Sequence, residues 1–359
     1  MSGIFGALNV SDSDRVFNAT VGQRVIYETA MEYVARVSAD LSAALSIFVD
    51  EITDEYKRRY KLPGNGYLSK RSIDGRYPAV KATGQWDVAF PLEDFGAQIA
   101  GNDIDFRRMT IRELDRHLVT VTTQNVNTVR HEVLKALMNN AADTFVDEEW
   151  GSLTIQPLAN TDGTLYPPVL GSMTDADDTH YLESGYAPTA LDDGAADPLT
   201  TIRNELEEHF GVDERGSDVM VLSNPDATPD IIAMDGFVGV TDKGVIPGDD
   251  TATLTSQVPA HPGTLIGRVK GVWYVEWRYL PATYMIGVHL GAPRPLVKRI
   301  DPYDMGIPDG LTLVAKDEEF PFTGSFWRHR FGFGVGNRLN GVVMENAAGG
   351  TYSVPSAYQ

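Results

Sequence analysis

The chain of 359 residues contains no cysteine, little lysine and no long apolar run. Without cysteine there are no disulfides, no thiol nucleophile and no thiolate metal site, which is typical of a protein made in a reducing cytoplasm. No stretch of 18 apolar residues is present in the sequence, so we predict no membrane span. The first residues, Met1–Leu8, have no basic segment ahead of an apolar one, so we do not expect a secretion signal.

Negative charge dominates the sequence, because 50 aspartates and glutamates face 30 lysines and arginines and give a formal net charge of −20. Nucleic-acid binding is driven by neutralisation of phosphates, so such a field disfavours direct contact with DNA. Three interpretations stay open: a soluble acidic surface, which is the commonest, a shell wall to which packaged DNA does not adhere, and adaptation to high salt.

A long amphipathic helix is predicted from Thr110 to about Trp150. It opens with the capping box Thr110-Ile-Arg-Glu113, and apolar residues then recur at steps of three and four until Gly151. At 1.5 Å per residue such a rod would be roughly 50–60 Å long. A compact globule rarely needs this rod, whereas a flat, plate-like subunit does, so the pattern favours assembly over catalysis.

A second helix is predicted from Gly22 to Arg59, after a small, polar and aperiodic arm over residues 1–20. Its apolar residues alternate at steps of four and three, which gives a heptad-like stripe. The helix would either lie on its own subunit or contact a second subunit or an assembly partner.

Residues 60–109 are predicted to form a long two-stranded excursion. Trp86–Leu92 and Phe95–Ile99 alternate as strands do, and the segment 67–83 mixes basic residues with aromatics and glycine. A lone hairpin is marginal in water, so we expect this one to lie on a neighbouring subunit. The alternative is an ordinary surface loop of unusual length.

The rest of the chain indicates mixed α/β structure followed by strands, so the predicted class is α+β with an inserted subdomain. The predicted elements are the helix Pro198–His209 and the strands Leu153–Gln156, Asp218–Leu222, Thr264–Val269, Val272–Trp277, Tyr284–His289, Leu311–Val314, Ser325–Val335 and Leu339–Met344.

No strong catalytic motif is present in the sequence: there is no GxxxxGK[ST] loop, no GxSxG elbow and no HExxH. Gly332-Phe-Gly-Val-Gly336 fails the GxGxxG spacing and lies between strand-like runs, so we interpret its glycines as sites of close backbone packing. We predict no enzyme activity and no cofactor. An acidic hydrolase using Asp317 or Glu319 is the alternative from a different class.

The candidate metal ligands in the sequence are histidines and aspartates. His117 and His131 would lie about 21 Å apart on the predicted helix, too far to share a metal. Asp175, Asp177 and Asp178, with His180 nearby, could hold a cation, but the segment lacks the glycine and the bidentate glutamate of a calcium loop. A solvated loop is therefore favoured, and no metal site is predicted.

Three phrases in a fixed order carry a resemblance to a known family. They are Trp86-Asp-Val-Ala-Phe-Pro-Leu-Glu-Asp-Phe95, then Gly271-Val-Trp-Tyr-Val-Glu-Trp277 with Leu280-Pro281, and Trp327-Arg-His-Arg-Phe-Gly-Phe-Gly-Val-Gly-Asn337. Over most of its length the chain resembles the tailed-bacteriophage major capsid proteins of the Hong Kong 97 fold.

The resemblance implies five segments: an N-terminal arm and amphipathic helix (1–59), an extended E-loop hairpin (60–109), a peripheral domain with a long spine helix (110–179), an axial domain (180–290) and closing strands of the peripheral domain (291–359). It implies a structural protein of the virion that self-assembles as hexamers and pentamers into an icosahedral head enclosing double-stranded DNA. Assembly would take place in the host cytoplasm.

The expected partners are further copies of the chain, scaffolding and portal proteins, and decoration proteins as a further candidate. The alternative within the same fold is an encapsulin-type shell of a cellular nanocompartment. A tail or baseplate protein is a third candidate, which the long helix and the long loop disfavour.

Six residues are the candidates for intersubunit contact: Arg71, Arg76, Lys81, Trp86, Phe90 and Phe95. We expect Arg71 and Arg76 to meet acidic partners of a neighbour around Asp143–Glu149. Some capsids of this fold join a loop lysine to a neighbour's asparagine, and Lys61, Lys70 and Lys81 could lie on the loop. The asparagine and glutamate partners match no residues here, so no cross-link is predicted.

Overall fold

The computed structural model describes residues 23–61, 70, 73, 75, 85–100, 111–170, 172, 174–188, 190–192, 194, 197–210, 218–240, 260–314 and 324–359. The predicted arm over residues 1–20, the loop residues Arg71, Arg76 and Lys81, and the acidic segment Asp317–Glu319 lie outside these ranges. The described structure is α+β, as predicted.

Most predicted strands are found at or near their predicted positions. In chain order the elements are α1 (Gln23–Leu45), β1 (Val49–Thr53), β2 (Lys57–Lys61), β3 (Gln85–Ala89), β4 (Glu93–Ala100), α2 (Ile111–Met138), β5 (Asp143–Asp147), β6 (Gly151–Ile155), β7 (Tyr181–Glu183), α3 (Pro198–Phe210), β8 (Val219–Ser223), α4 (Thr228–Ala233), β9 (Val238–Gly239), β10 (Thr264–Val269), β11 (Val272–Glu276), β12 (Tyr284–His289), β13 (Leu296–Arg299), β14 (Thr312–Leu313), β15 (Gly324–Val335) and β16 (Val342–Glu345). Among the described residues, no helix combines the length and the apolarity that crossing a membrane requires.

Both long helices were predicted correctly at their starts but are shorter than predicted. The first ends at Leu45, not Arg59, and the chain continues into β1 and β2. The second ends at Met138, not Trp150, because Asn139 closes the last helical turn and its side chain then accepts the N–H of Ala141 at 3.0 Å. Asparagine makes such a local turn readily and so ends a helix even where the apolar spacing continues.

The chain divides into two compact units. One consists of Met1–Ala44, Leu92–Glu132 and Ile300–Gly332, and the other of Leu45–Pro91, Val133–Arg299 and Phe333–Gln359. We call them the smaller and the larger unit.

In the smaller unit, α1 and most of α2 pack with β4, β14 and β15. The shared core is lined by Ala30, Val34, Ile99, Leu118, Val121, Leu311 and Trp327. Strand β4 pairs antiparallel with β15 from Glu93↔Phe331 to Ala100↔Gly324, and β14 also pairs with β15. The helix α1 therefore buries part of its apolar stripe within its own subunit.

In the larger unit, a seven-stranded sheet has the order β7-β16-β12-β8-β11-β10-β9. Every residue of β8 is buried, as expected for a strand covered on both faces. Helix α3 packs on this sheet closely enough that a Cβ built on Gly287 would lie 2.1 Å from Cγ2 of Ile202. Because β16 lies between β7 and β12, the sheet draws on both the predicted axial segment 180–290 and the closing segment 291–359.

The predicted hairpin between Trp86–Leu92 and Phe95–Ile99 is wrong. Strand β3 pairs antiparallel with β2, from Lys57↔Ala89 to Lys61↔Gln85, whereas β4 pairs with β15. Alternation identifies a strand but not its partner. The short connection at Pro91 also lacks the glycine or asparagine that a tight hairpin turn requires.

The buried side chain of His289, at the end of β12, gives the larger unit a pH-dependent group. Its Nδ1 accepts the N–H of Gly291 at 3.2 Å, so protonation of this nitrogen would break the bond. Burial lowers the pKa of His289 below its usual value of 6.5, because the imidazolium loses hydration. The unfolded chain therefore takes up a proton that the folded chain does not, and stability falls as the pH drops below about 6.5.

We expect His289→Asn to flatten this fall, because asparagine retains an acceptor and does not titrate. The slope of unfolding free energy against pH should decrease by up to about 1.4 kcal/mol per pH unit between pH 6.5 and the lowered pKa. Urea unfolding at a series of pH values measures it, with the exposed His117→Asn as the control. Equal slopes in wild type and His289→Asn would contradict the prediction.

Candidate interaction surface

The ladder of β2 and β3 carries a network of exposed ion pairs. The guanidinium of Arg59 binds both oxygens of Asp87, with Nε to Oδ1 at 2.5 Å and Nη2 to Oδ2 at 3.0 Å, and Lys57 Nζ lies 3.3 Å from Oδ2. The hydrogen bond from Arg59 lowers the pKa of Asp87 to about 2. Exposed pairs of this kind contribute little to folding, so they define a charged surface more than they stabilise it.

Two of the six contact candidates, Trp86 and Phe90, are buried within the larger unit. Trp86 is 5% exposed, stacks near Tyr60 at 6.0 Å, meets Tyr166 edge-on at 5.5 Å, and donates its Nε1–H to the Gly336 carbonyl at 3.1 Å. Phe90 is fully buried in the same cluster. Both side chains thus pack inside the subunit, and their intersubunit role stays a prediction.

Two glycines of the segment 332–336, Gly334 and Gly336, allow close packing, as predicted. A Cβ built on Gly334 would lie 2.7 Å from Cδ1 of Phe90, and one on Gly336 would lie 2.6 Å from the hydroxyl of Tyr60. Real Cβ contacts are longer than this, so neither position has room for a side chain. The prediction that these glycines serve packing is confirmed.

The third aromatic candidate, Phe95, lies half-buried in the smaller unit. The centroid of its ring is 4.9 Å from that of Phe331, and Phe95 lines a cavity of about 400 cubic ångströms. In the same cavity, Nδ1 of His329 lies 2.7 Å from Oδ1 of Asn125. The structure therefore places Phe95 at a concave polar and aromatic surface of the smaller unit.

The proposed acidic partners lie on the hairpin β5–β6 instead of a helix. Asp143, Glu148 and Glu149 are exposed there, beside the exposed side chains of Val146 and Trp150. The indole of Trp150 stacks on Tyr56 at 4.2 Å. The hairpin thus presents an acidic and partly apolar surface.

Asp147 turns inward from the same hairpin. Its Oδ1 accepts the N–H groups of Glu149 and Trp150 at 2.9 and 3.0 Å, and its Oδ2 lies 2.8 Å from Nη1 of Arg299. The same guanidinium nitrogen donates to the Phe90 carbonyl at 2.8 Å. Burial acts to raise the pKa of Asp147, but the N–H groups and Arg299 outweigh it and hold the pKa below its usual range.

A second polar cluster lies where the loop before β7 meets the end of α3. Asp178 Oδ2 is 2.6 Å from Nε2 of His209 and 3.2 Å from Nε2 of His180, while Glu205 and Glu208 lie on the same helix. Burial, together with the charges of Asp178 and Glu208, raises the pKa of Glu205 to about 7. Burial acts to raise the pKa of Asp178, but the two imidazoles beside it outweigh burial and lower the pKa.

Sequence reasoning selected Asp178 and His180 but missed the helical residues of this cluster. Glu205, Glu208 and His209 stand at positions i, i+3 and i+4, which face the same side of a helix. That spacing is the signal that could have found them.

Compared by sequence, the chain matches no protein-family model and no curated protein. Its fold is similar to a solved structure of Mycobacterium phage Patience, with a TM-score of 0.67 and 18% identity over 96% of this chain and 94% of that chain. It also matches the capsid of cyanophage P-SCSP1u, with a TM-score of 0.46 and 13% identity over 84% and 86%. A virus-like particle from Pyrococcus furiosus matches with a TM-score of 0.41 and 13% identity over 88% and 100%.

The TM-score of 0.67 to the Mycobacterium phage protein shows a common fold, whereas the two scores below 0.5 support no such conclusion. The common fold extends over nearly the full length of both chains. The chain therefore has the fold of a Mycobacterium phage protein, which agrees with the resemblance to tailed-phage capsid proteins inferred from the sequence. The arm, the E-loop and the domain limits at 110–179, 180–290 and 291–359 stay predictions.

Proposed function

We propose that the protein is the major capsid protein of a tailed double-stranded DNA bacteriophage and assembles as hexamers and pentamers into an icosahedral head. The observation that carries the proposal is the fold shared with the Mycobacterium phage protein across 96% of this chain. The sequence resemblance over most of the chain supports it independently, because it was inferred from residues and not from coordinates. The protein would act by geometry and not by catalysis.

The segment between β2 and β3 is the E-loop of this proposal, and its charge supports an intersubunit role. Four of the chain's 30 lysines and arginines lie between these two strands, whereas Asp74 is the one acidic residue there. They are Lys70, Arg71, Arg76 and Lys81. In a chain of net charge −20, a basic segment of this kind fits an acidic surface of a neighbouring copy.

The acidic hairpin β5–β6 is the surface that this segment would contact. Asp143, Glu148 and Glu149 supply the opposite charge, and Val146 and Trp150 supply apolar area that a neighbour would cover. In the same proposal, α2 is the spine helix and the axial domain supplies most strands of the seven-stranded sheet. Scaffolding, portal and decoration proteins are further partners. The virion is then the location of the mature protein, after assembly in the host cytoplasm.

The first experiment is negative-stain electron microscopy with sedimentation of the recombinant full chain, alone and with candidate scaffolding proteins. We expect closed shells or free hexamer and pentamer rings. A monodisperse monomer under all these conditions would contradict the proposal. The contents of shells purified from the native source separate two outcomes, since DNA supports a phage head and protein cargo supports an encapsulin-type compartment.

A charge-reversal series tests the contact between the loop and the hairpin. Arg71→Glu with Arg76→Glu should abolish or strongly reduce shell formation, because the loop would then face like charge. Adding Glu148→Lys and Glu149→Lys should restore it. The matched control is Arg278→Glu, whose side chain is 84% exposed and lies outside the loop. Normal shells from the double reversal would refute this contact.

A further inference from the structure

Five ligand-type side chains meet between the loop before β7 and the last turns of α3. Asp178, His180 and His209 form one set, and Asp178, Glu205 and Glu208 form another; within each set the ligand atoms lie within 4.8 Å of one another. The side chain of His180 is fully buried and that of His209 is 4% exposed. Two buried imidazoles and three carboxylates in one place are costly unless positive charge lies among them.

Hydrogen bonding decides which nitrogen of His180 faces the carboxylate. Its Nδ1 lies 2.8 Å from the carbonyl oxygen of Gly341, which can only accept, so Nδ1 carries a proton. In neutral His180 the other nitrogen, Nε2, then directs a lone pair at Asp178 Oδ2, 3.2 Å away. A cation bound by both Nε2 of His180 and Oδ2 of Asp178 would remove the repulsion between their lone pairs.

The surroundings of His180 match those of metal-binding histidines. An imidazole that donates through one nitrogen to a backbone carbonyl and offers the other to the metal is the usual arrangement. Thr179 N–H donates to Oδ1 of Asp178 at 2.8 Å, which orients the carboxylate so that Oδ2 faces both rings. His209 is the penultimate residue of α3, where the partial negative charge of the helix end also favours a cation.

We propose that Asp178, His180 and His209 bind one divalent first-row transition-metal ion of the Zn²⁺ or Mn²⁺ type, with Glu205 and Glu208 adding negative charge next to Asp178. Imidazole and carboxylate together suit such ions, whereas Mg²⁺ and Ca²⁺ prefer oxygen ligands alone. The ion would cross-link the loop before β7 to α3 and so stabilise the larger unit. This revises the sequence prediction of a solvated loop, and it does not depend on whether the chain forms a capsid.

The test is metal binding by the full-length protein after removal of bound metal with EDTA and dialysis. Zn²⁺, Mn²⁺ and Mg²⁺ are added separately, and bound metal is measured by elemental analysis and by competition with a chromogenic chelator. We expect about one Zn²⁺ or Mn²⁺ per chain, no saturable Mg²⁺, and a higher Tm in the metal-loaded protein. His209→Gln and Asp178→Asn should weaken binding by more than the roughly 10–100-fold typical of losing a residue that only supports a ligand.

Two further variants keep the test decisive. Glu208→Gln lies at a partly exposed position and should fold normally while weakening the binding. His117→Gln, which is exposed on α2, should bind metal as the wild type does. Binding that is equal in all variants would show an adventitious ion only, and it would overturn the proposal. If no metal binds stoichiometrically and the Tm is the same with and without metal, the cluster is stable without a metal ion. That result would also overturn the proposal.

Discussion

Replacing Asp147 with asparagine should lower the free energy of unfolding by about 3–5 kcal/mol, the usual cost of breaking a buried ion pair by removing one charge. Asp147 and Arg299 are 7% and 5% exposed, and their side chains meet at 2.8 Å. Asparagine retains an oxygen for the N–H groups of Glu149 and Trp150, so the hairpin turn is kept. The decrease in the free energy of unfolding would therefore measure the cost of leaving the charge of Arg299 buried without its partner.

Denaturant unfolding of unassembled subunits measures this effect. Asp87→Asn is the matched control, because it makes the same substitution in an exposed ion pair with Arg59 and should change stability by little more than the error of the measurement. Equal effects of the two substitutions would show that Asp147 is not isolated from solvent. A normal stability of Asp147→Asn would contradict the buried pair altogether.

Trp86→Ala is the second substitution with a large expected effect, again about 3–5 kcal/mol. The indole is buried among Tyr60, Tyr166 and the backbone of Gly336, so its removal leaves a cavity and an unpaired carbonyl. Because the neighbouring glycines allow no Cβ, the surrounding chain has little freedom to collapse into that space.

The control for this substitution is Trp150→Ala, which removes the same ring from a side chain that is 49% exposed. It loses the stack on Tyr56 and should cost no more than about 1–2 kcal/mol. Unassembled subunits again give the stability, and electron microscopy gives the assembly. A Trp86→Ala chain that folds with normal stability but does not assemble would make Trp86 an interface residue and refute its interior role.

The elements were largely predictable from sequence, but their ends and partners were not. Apolar spacing located α1 and α2, yet the stripe continued by coincidence past Leu45 and Met138, into residues that form strands. Periodicity reports which face of an element is apolar, not where hydrogen bonding stops. The end of α2 depended on the side chain of one asparagine, Asn139.

The candidate contact residues show the same limit. The sequence placed Trp86, Phe90 and Phe95 together on one hairpin, because all three lie on alternating strands. Strand pairing separates them, since β3 pairs with β2 and β4 pairs with β15. Alternation is a property of a single strand, whereas pairing depends on a second strand elsewhere in the chain. For β4 that strand is β15, more than 200 residues away.

By itself, the sequence determined the α+β class, the resemblance to phage capsid proteins, the packing role of Gly334 and Gly336, and the charge contrast between the loop and the rest of the chain. These are properties of local spacing and composition, which a sequence states directly. Only the tertiary structure decided that Asp147 is buried against Arg299 and that His209, Glu205 and Glu208 join Asp178 and His180. Burial and long-range proximity arise when distant segments pack, and the desolvation that gives such groups their chemistry exists only then.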